Sequence, residues 1–240
     1  RAPAARQDCA AAATGRRLFY DALDPVVSGG LSCAGCHPEG RDDGFVWREV
    51  HPCSGAGCTT LPFYVGHPDA LAANRHSAAG ALGRARQTPM LAGRVDAAGP
   101  YGWLAGSRTL VDRVARGFTL HRWAPEANGV YDAVTAKGRA EPIVAFLRAG
   151  LVPPTARTAA PTAAERRGRA IFESPEAQCS RCHDPGSAYT DHLALPLPRR
   201  RASRRFEPDP APAFKVPSLF YVGETAPYFH DGGAASLEEL

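Results

Sequence analysis

Cys33-Ala34-Gly35-Cys36-His37 (CAGCH) and Cys179-Ser180-Arg181-Cys182-His183 (CSRCH) decide how the rest of this chain is read. A lone CxxC is a redox dithiol or half a zinc site. CxxC followed directly by His is the attachment pattern of a c-type haem. Two thiols at that spacing add to the two porphyrin vinyl groups, and the adjacent imidazole reaches the iron. The competing zinc reading draws four thiolates, or three and an imidazole, from both motifs. It has to close a site across roughly 140 residues, unlike compact zinc modules. Two such pentapeptides in one chain therefore point to two covalently bound haem c groups, with Cys33, Cys36, Cys179 and Cys182 as attachment thiols and His37 and His183 as iron ligands.

Covalent haem attachment takes place outside the cytoplasm, so a periplasmic or other extracytoplasmic location is expected. No signal peptide is read at the start, so for an exported protein the residues shown are expected to be the mature form. Cys53 and Cys58 fit that compartment as a short-loop disulfide, while Cys9 has no assigned role. At 240 residues and 44% hydrophobic content the chain can build a real core. Its net charge of +4 is small and dispersed, which argues against nucleic-acid binding. The dense run PRRRASRRF, Pro198 to Phe206, reads as a solvated loop. No stretch approaches the ~20 apolar residues of a membrane span.

Around the two motifs the chain repeats itself. Each motif follows a helical stretch, and Gly15, Arg16 and Phe19 match Gly168, Arg169 and Phe172. Thr162 and Glu165 stand at capping-box spacing after Pro161. Downstream, residues 87–110 align with 215–237 with a one-residue slip. Pro100-Tyr101 answers Pro227-Tyr228, and Trp103 falls on His230. The first copy closes on a helix, Ala140 to Gly150, with Pro142 expected in its first turn and Gly150 as the stop. A Pro/Ala/Thr linker, Leu151 to Pro161, follows. No alternating strand run of useful length is read. The expected fold is mainly α: two cytochrome c-like domains over residues 1–152 and 153–240, each with one c-type haem and long connecting loops. Ser236 is expected to cap a further helix, SLEEL, that would continue past Leu240, leaving the second domain incomplete.

These features, with QTPML after the first haem motif and FKVPSLFYVGETAPYFHDG after the second, resemble the bacterial dihaem cytochrome c peroxidase and MauG superfamily. The resemblance spans roughly Gly15 to Leu240, and residues 46–71 match nothing in it. It implies a peroxidatic N-terminal haem and a C-terminal haem that receives electrons. Trp103 matches the Trp lying between the haems, although GWLAG is only a partial match to the family turn. An acid that assists O–O cleavage is implied near Trp123, where His121 and Glu126 are the nearby candidates. A calcium site between the domains, built mostly from backbone carbonyls, is implied at Gln87, where Asn is usual, and at Thr225 and Pro227.

Two departures limit the carry-over. The Met or Tyr that ligates the second haem is implied beyond Leu240, and the only Met, Met90, reads as packing. Ala177 stands where MauG-type enzymes have a Trp. Three functions follow: a peroxidase reducing hydrogen peroxide with electrons from a small cytochrome c or cupredoxin, a MauG-like enzyme oxidising residues of a partner protein, and a plain electron carrier. The carrier needs a distal ligand over the first haem, for which His51 and His67 are available. His76, His121 and His192 read as loop or surface residues. His230 and Tyr228 read as packing or hydrogen-bonding groups of the turn. A homodimer is compatible with the family.

Overall fold

The computed structural model describes residues 6–28, 30–49, 84–118, 133–155, 158–197 and 213–240. The Cys53–Cys58 disulfide, His51, His67, His76, His121, Trp123, Glu126 and the run from Pro198 to Phe206 lie outside the described residues.

Helix α1 (Arg6–Tyr20) places Gly15, Leu18 and Phe19 on one stripe, the i, i+3, i+4 spacing of a helical face. That stripe packs on α4 (Ala133–Ala149), whose Ala136, Ala140, Ile143, Val144 and Leu147 form the complementary face. Phe19 and Ile143 are each only 1% exposed, and burying such a side chain contributes about 1.5–3 kcal/mol. Gly15 is required by the closeness of the crossing. A methyl group built on it would lie 1.8 Å from the Pro142 carbonyl oxygen. Helix α3 (Leu110–Gly117) completes this core through Leu110 and Ala115, with the Thr109 hydroxyl capping its start by accepting from the Asp112 N–H at 3.1 Å.

Pro142 lies in the interior of α4 rather than in its first turn, because the helix begins at Ala133. A proline inside a helix removes one N–H bond. Here the Pro142 carbonyl packs closely against Gly15 of α1. Gly150 does stop the helix, its N–H returning to the Phe146 carbonyl at 2.7 Å.

The second copy opens on α5 (Ala163–Phe172) with the expected capping box. Glu165 N–H donates to the Thr162 hydroxyl, and Thr162 N–H to the Glu165 carboxylate. Unlike its counterpart Gly15, Gly168 faces open space. Two short antiparallel pairs stand where no strand was read: β1 (Val46–Glu49) with β2 (Arg84–Gln87), and β3 (Ala194–Pro196) with β4 (Ala213–Lys215). At three or four residues each, they carry too few positions for alternation to show.

The duplication extends to backbone detail. Both turns have a cis proline, Pro100 and Pro227. Each is followed by a bridge closing six residues on, Tyr101 with Ser107 and Tyr228 with Ala234. Both Tyr hydroxyls donate to an upstream carbonyl, Tyr101 to Ala97 and Tyr228 to Val222, each at 3.0 Å. The copies diverge afterwards. Leu110 starts a helix, whereas Leu237–Glu239 forms a 3-10 turn in which the Ser236 side chain does not cap. The Glu239 carboxylate instead takes the Ala235 N–H at 2.8 Å.

Candidate haem cradles and the junction between them

The two CxxCH motifs share one local fold. α2 (Cys33–Cys36) and α6 (Cys179–Cys182) are single helical turns. His37 N–H closes on the Cys33 carbonyl at 2.8 Å, and His183 N–H on the Cys179 carbonyl at 3.0 Å. The histidines end the turns at nearly the same dihedrals, φ −119 and ψ 64 against φ −108 and ψ 62. All four thiols are unpaired. Burial pushes the Cys33 thiol up to about 12 and the Cys36 thiol to about 11, with Asp43 adding to the latter, so both stay protonated. A pair of free thiols one helical turn apart, followed at once by an imidazole, fits a covalently bound haem. Among the described residues no three His, Cys, Asp or Glu side chains converge on a common point, so the shared zinc site is not assembled.

The histidines differ in their surroundings. His183 Nδ1 lies 2.9 Å from the Tyr189 carbonyl, which can only accept, so Nδ1 carries the proton and Nε2 keeps its lone pair for a metal. His37 is held neutral by burial, which pushes it down to about 4 against the opposing field of Asp43, while Arg113 adds to the lowering. Its Nδ1 makes no hydrogen bond of ordinary geometry, although the carbonyls of Arg41 and Pro89 lie close enough to favour its charged form. Asp43 is itself fixed by two donors, the Phe45 N–H at 3.0 Å and the Trp47 indole at 2.7 Å.

Trp103 stands where the copies meet. Its indole N–H donates to the Gln87 carbonyl at 2.9 Å, and its ring meets His230 edge-on at 6.5 Å. The contacts across the junction are reciprocal: Gln87 N–H donates to the His230 carbonyl at 2.7 Å, and Lys215 N–H to the Trp103 carbonyl at 2.8 Å. His230 packs as expected, stacked on Phe214 with ring centroids 3.6 Å apart. Gly232 closes the turn at φ +66, and a side chain there would also strike Val46 of the first copy at 2.4 Å. Arg41 pairs with Glu224 over the same seam. Met90 is buried at 3% exposure, consistent with packing.

Two residues that sequence reading passed over sit at this seam. Arg94 donates through Nε to the Phe220 carbonyl at 2.6 Å and through Nη2 to the Thr225 hydroxyl at 3.4 Å. Asp42 lies within its field, and its buried Oδ2 has no hydrogen-bond partner among the described residues. At the spot implied for calcium a positive side chain already reaches in. Ca²⁺ takes six to eight oxygens, which carboxylates, backbone and amide carbonyls and water all supply. Here the Thr225 side chain already faces a guanidinium, and the buried Gln87 amide leaves its nitrogen unpaired.

The chain thus presents two like CxxCH cradles joined by a near-symmetric seam. No family model and no curated protein matches the sequence. Solved structures do. A MauG-like protein associated with microbial copper homeostasis matches at TM-score 0.61 and 25% identity, over 99% of this chain and 73% of that one. Hydrazine synthase from Kuenenia stuttgartiensis matches at 0.61 and 20%, over 96% and 77%. The diheme peroxidase BthA from Burkholderia thailandensis matches at 0.55 and 21%, over 95% and 69%. The chain has the fold of the MauG and dihaem peroxidase superfamily, which its motifs already resembled.

Proposed function

We propose that this chain is a dihaem c-type peroxidase of the periplasm, reducing hydrogen peroxide with electrons from a small cytochrome c or cupredoxin. In that reaction the O–O bond breaks, two electrons arrive from the donor, and two protons complete two waters. The observation that carries the reading is the pair of like cradles whose histidines sit in unlike surroundings, with an indole held in the seam. When bound, haem would supply the redox iron at which peroxide is reduced. The chain's own residues do the rest. Cys33 with Cys36, and Cys179 with Cys182, fix a haem in each of the two domains, over residues 1–152 and 153–240. His37, held neutral by burial, and His183 would present ring nitrogens to the irons. The Tyr189 carbonyl holds the His183 ring in one tautomer and orientation. Trp103, clamped at both its indole N–H and its carbonyl, positions an aromatic ring between the copies for electron exchange. His121 and Glu126 are the groups we assign to moving the proton that O–O cleavage needs.

The test begins with a pyridine haemochrome count, expected to be two haems per chain and one after Cys33→Ser/Cys36→Ser. Steady turnover of peroxide with reduced cytochrome c is the expected activity. Two low-spin irons that ignore peroxide in every redox state would sink it. A stable two-electron-oxidised state with poor turnover of small donors would identify the MauG-like oxidation of a partner protein instead.

A further inference from the structure

Among the polar ties that cross the seam between described residues, Arg94 makes the pair that stands where the family resemblance implies a metal. Its guanidinium leaves the first copy's turn at residues 91–97 and reaches two groups of the second copy, the Phe220 carbonyl at 2.6 Å and the Thr225 hydroxyl at 3.4 Å. Thr225 is 5% exposed and adjoins the cis proline of the second turn. A guanidinium so placed brings full positive charge to the spot, with planar donors that suit carbonyl and hydroxyl acceptors. Asp42 supplies a nearby carboxylate that favours the charged form of Arg94, and Arg41 with Glu224 extends the pairing outward. Gln87, one methylene longer than the usual Asn, is buried at 4% exposure and tied through its N–H to His230. A divalent ion added at Thr225 would stand beside the Arg94 charge, and no cluster of three acidic or metal-binding side chains forms among the described residues to offset the two.

We propose that Arg94 is the resident cation of this junction, an internal substitute for the calcium ion that the resemblance implies at Gln87, Thr225 and Pro227. The inference concerns the seam alone and stands apart from the peroxidase reading, because its readouts are metal content and melting rather than turnover. The holoprotein is dialysed in parallel against millimolar EGTA and millimolar calcium chloride. Calcium content is then measured by mass spectrometry and stability by thermal melting. The expected result is substoichiometric calcium, with coincident melts and coincident haem spectra in the two buffers. In EGTA, Arg94→Gln is expected to lower Tm by about 4–8 °C through loss of a charged donor to two acceptors. One tightly held calcium per chain, or a melt that rises in calcium and falls in EGTA, would overturn the proposal. So would an Arg94→Gln variant that melts with its parent.

Discussion

The same substitution at two matched sites is expected to have opposite effects. At Gly15 an added methyl would lie 1.8 Å from the Pro142 carbonyl oxygen, 2.4 Å from its carbon and 2.8 Å from the Ile143 nitrogen. All three are backbone atoms and cannot rotate away. Helix α1 would have to back off α4 by about 1.2 Å merely to bring the nearest contact to 3.0 Å. That loosens the layer holding Phe19, Ile143 and Phe146. Overpacking of this kind costs about 1–3 kcal/mol. Alanine recovers up to about 1 kcal/mol of helix propensity. At the upper end of that cost Gly15→Ala loses about 2 kcal/mol, a Tm drop of about 4–8 °C for a chain of this size. Gly168 has nothing within 4 Å, so Gly168→Ala keeps only the propensity gain, a rise of about 2–4 °C. Thermal melts followed by far-UV circular dichroism, each variant beside its parent, read both numbers. The reasoning fails if Gly15→Ala melts at or above its parent, or if the two variants shift Tm by the same amount in the same direction.

Trp103→Phe removes the indole donor to the Gln87 carbonyl and should cost about 1 kcal/mol, or about 2–4 °C in Tm. In the holoprotein it should also slow electron exchange between the irons, read by flash reduction. An unchanged rate would remove Trp103 from the path. Burial raises the Asp42 carboxyl above its ordinary value, outweighing the pull of Arg94. The folded chain therefore binds this proton more tightly than the unfolded one, and ionising Asp42 costs stability as pH climbs past the ordinary carboxylate range. Asp42→Asn should gain on its parent between about pH 4 and pH 7 in chemical denaturation. A constant difference across that range would count against the assignment.

What could be read in advance was whatever contiguous residues fix by themselves. The CxxCH turns, the Thr162–Glu165 box and the paired Pro-Tyr turns each close within a few residues, so residue type and spacing were enough. The start of α4 was not legible, because Pro142 carries an ordinary first-turn signal. Its place deeper in the helix goes with a tertiary approach to Gly15 that no local pattern displays. The four strands offered no alternation at their length. Arg94 was missed for a different reason: its acceptors lie 126 and 131 residues away, and nothing local marks an arginine for such a partner. The unlike settings of His37 and His183 were hidden in the same way, behind two nearly identical pentapeptides.

Gln87 N–H donates to the His230 carbonyl, and their matched residues Lys215 and Trp103 repeat that bond in the other direction across the seam, which makes it a two-fold contact folded into one chain. A contact of that kind has no front or back. Such a seam can join two redox centres but cannot by itself set which one donates. Any preferred direction of electron flow has to be written on either side of it. The groups that break the symmetry are Asp43 and Arg113 about His37, whose side chains can be exchanged, and the backbone carbonyl of Tyr189 at His183.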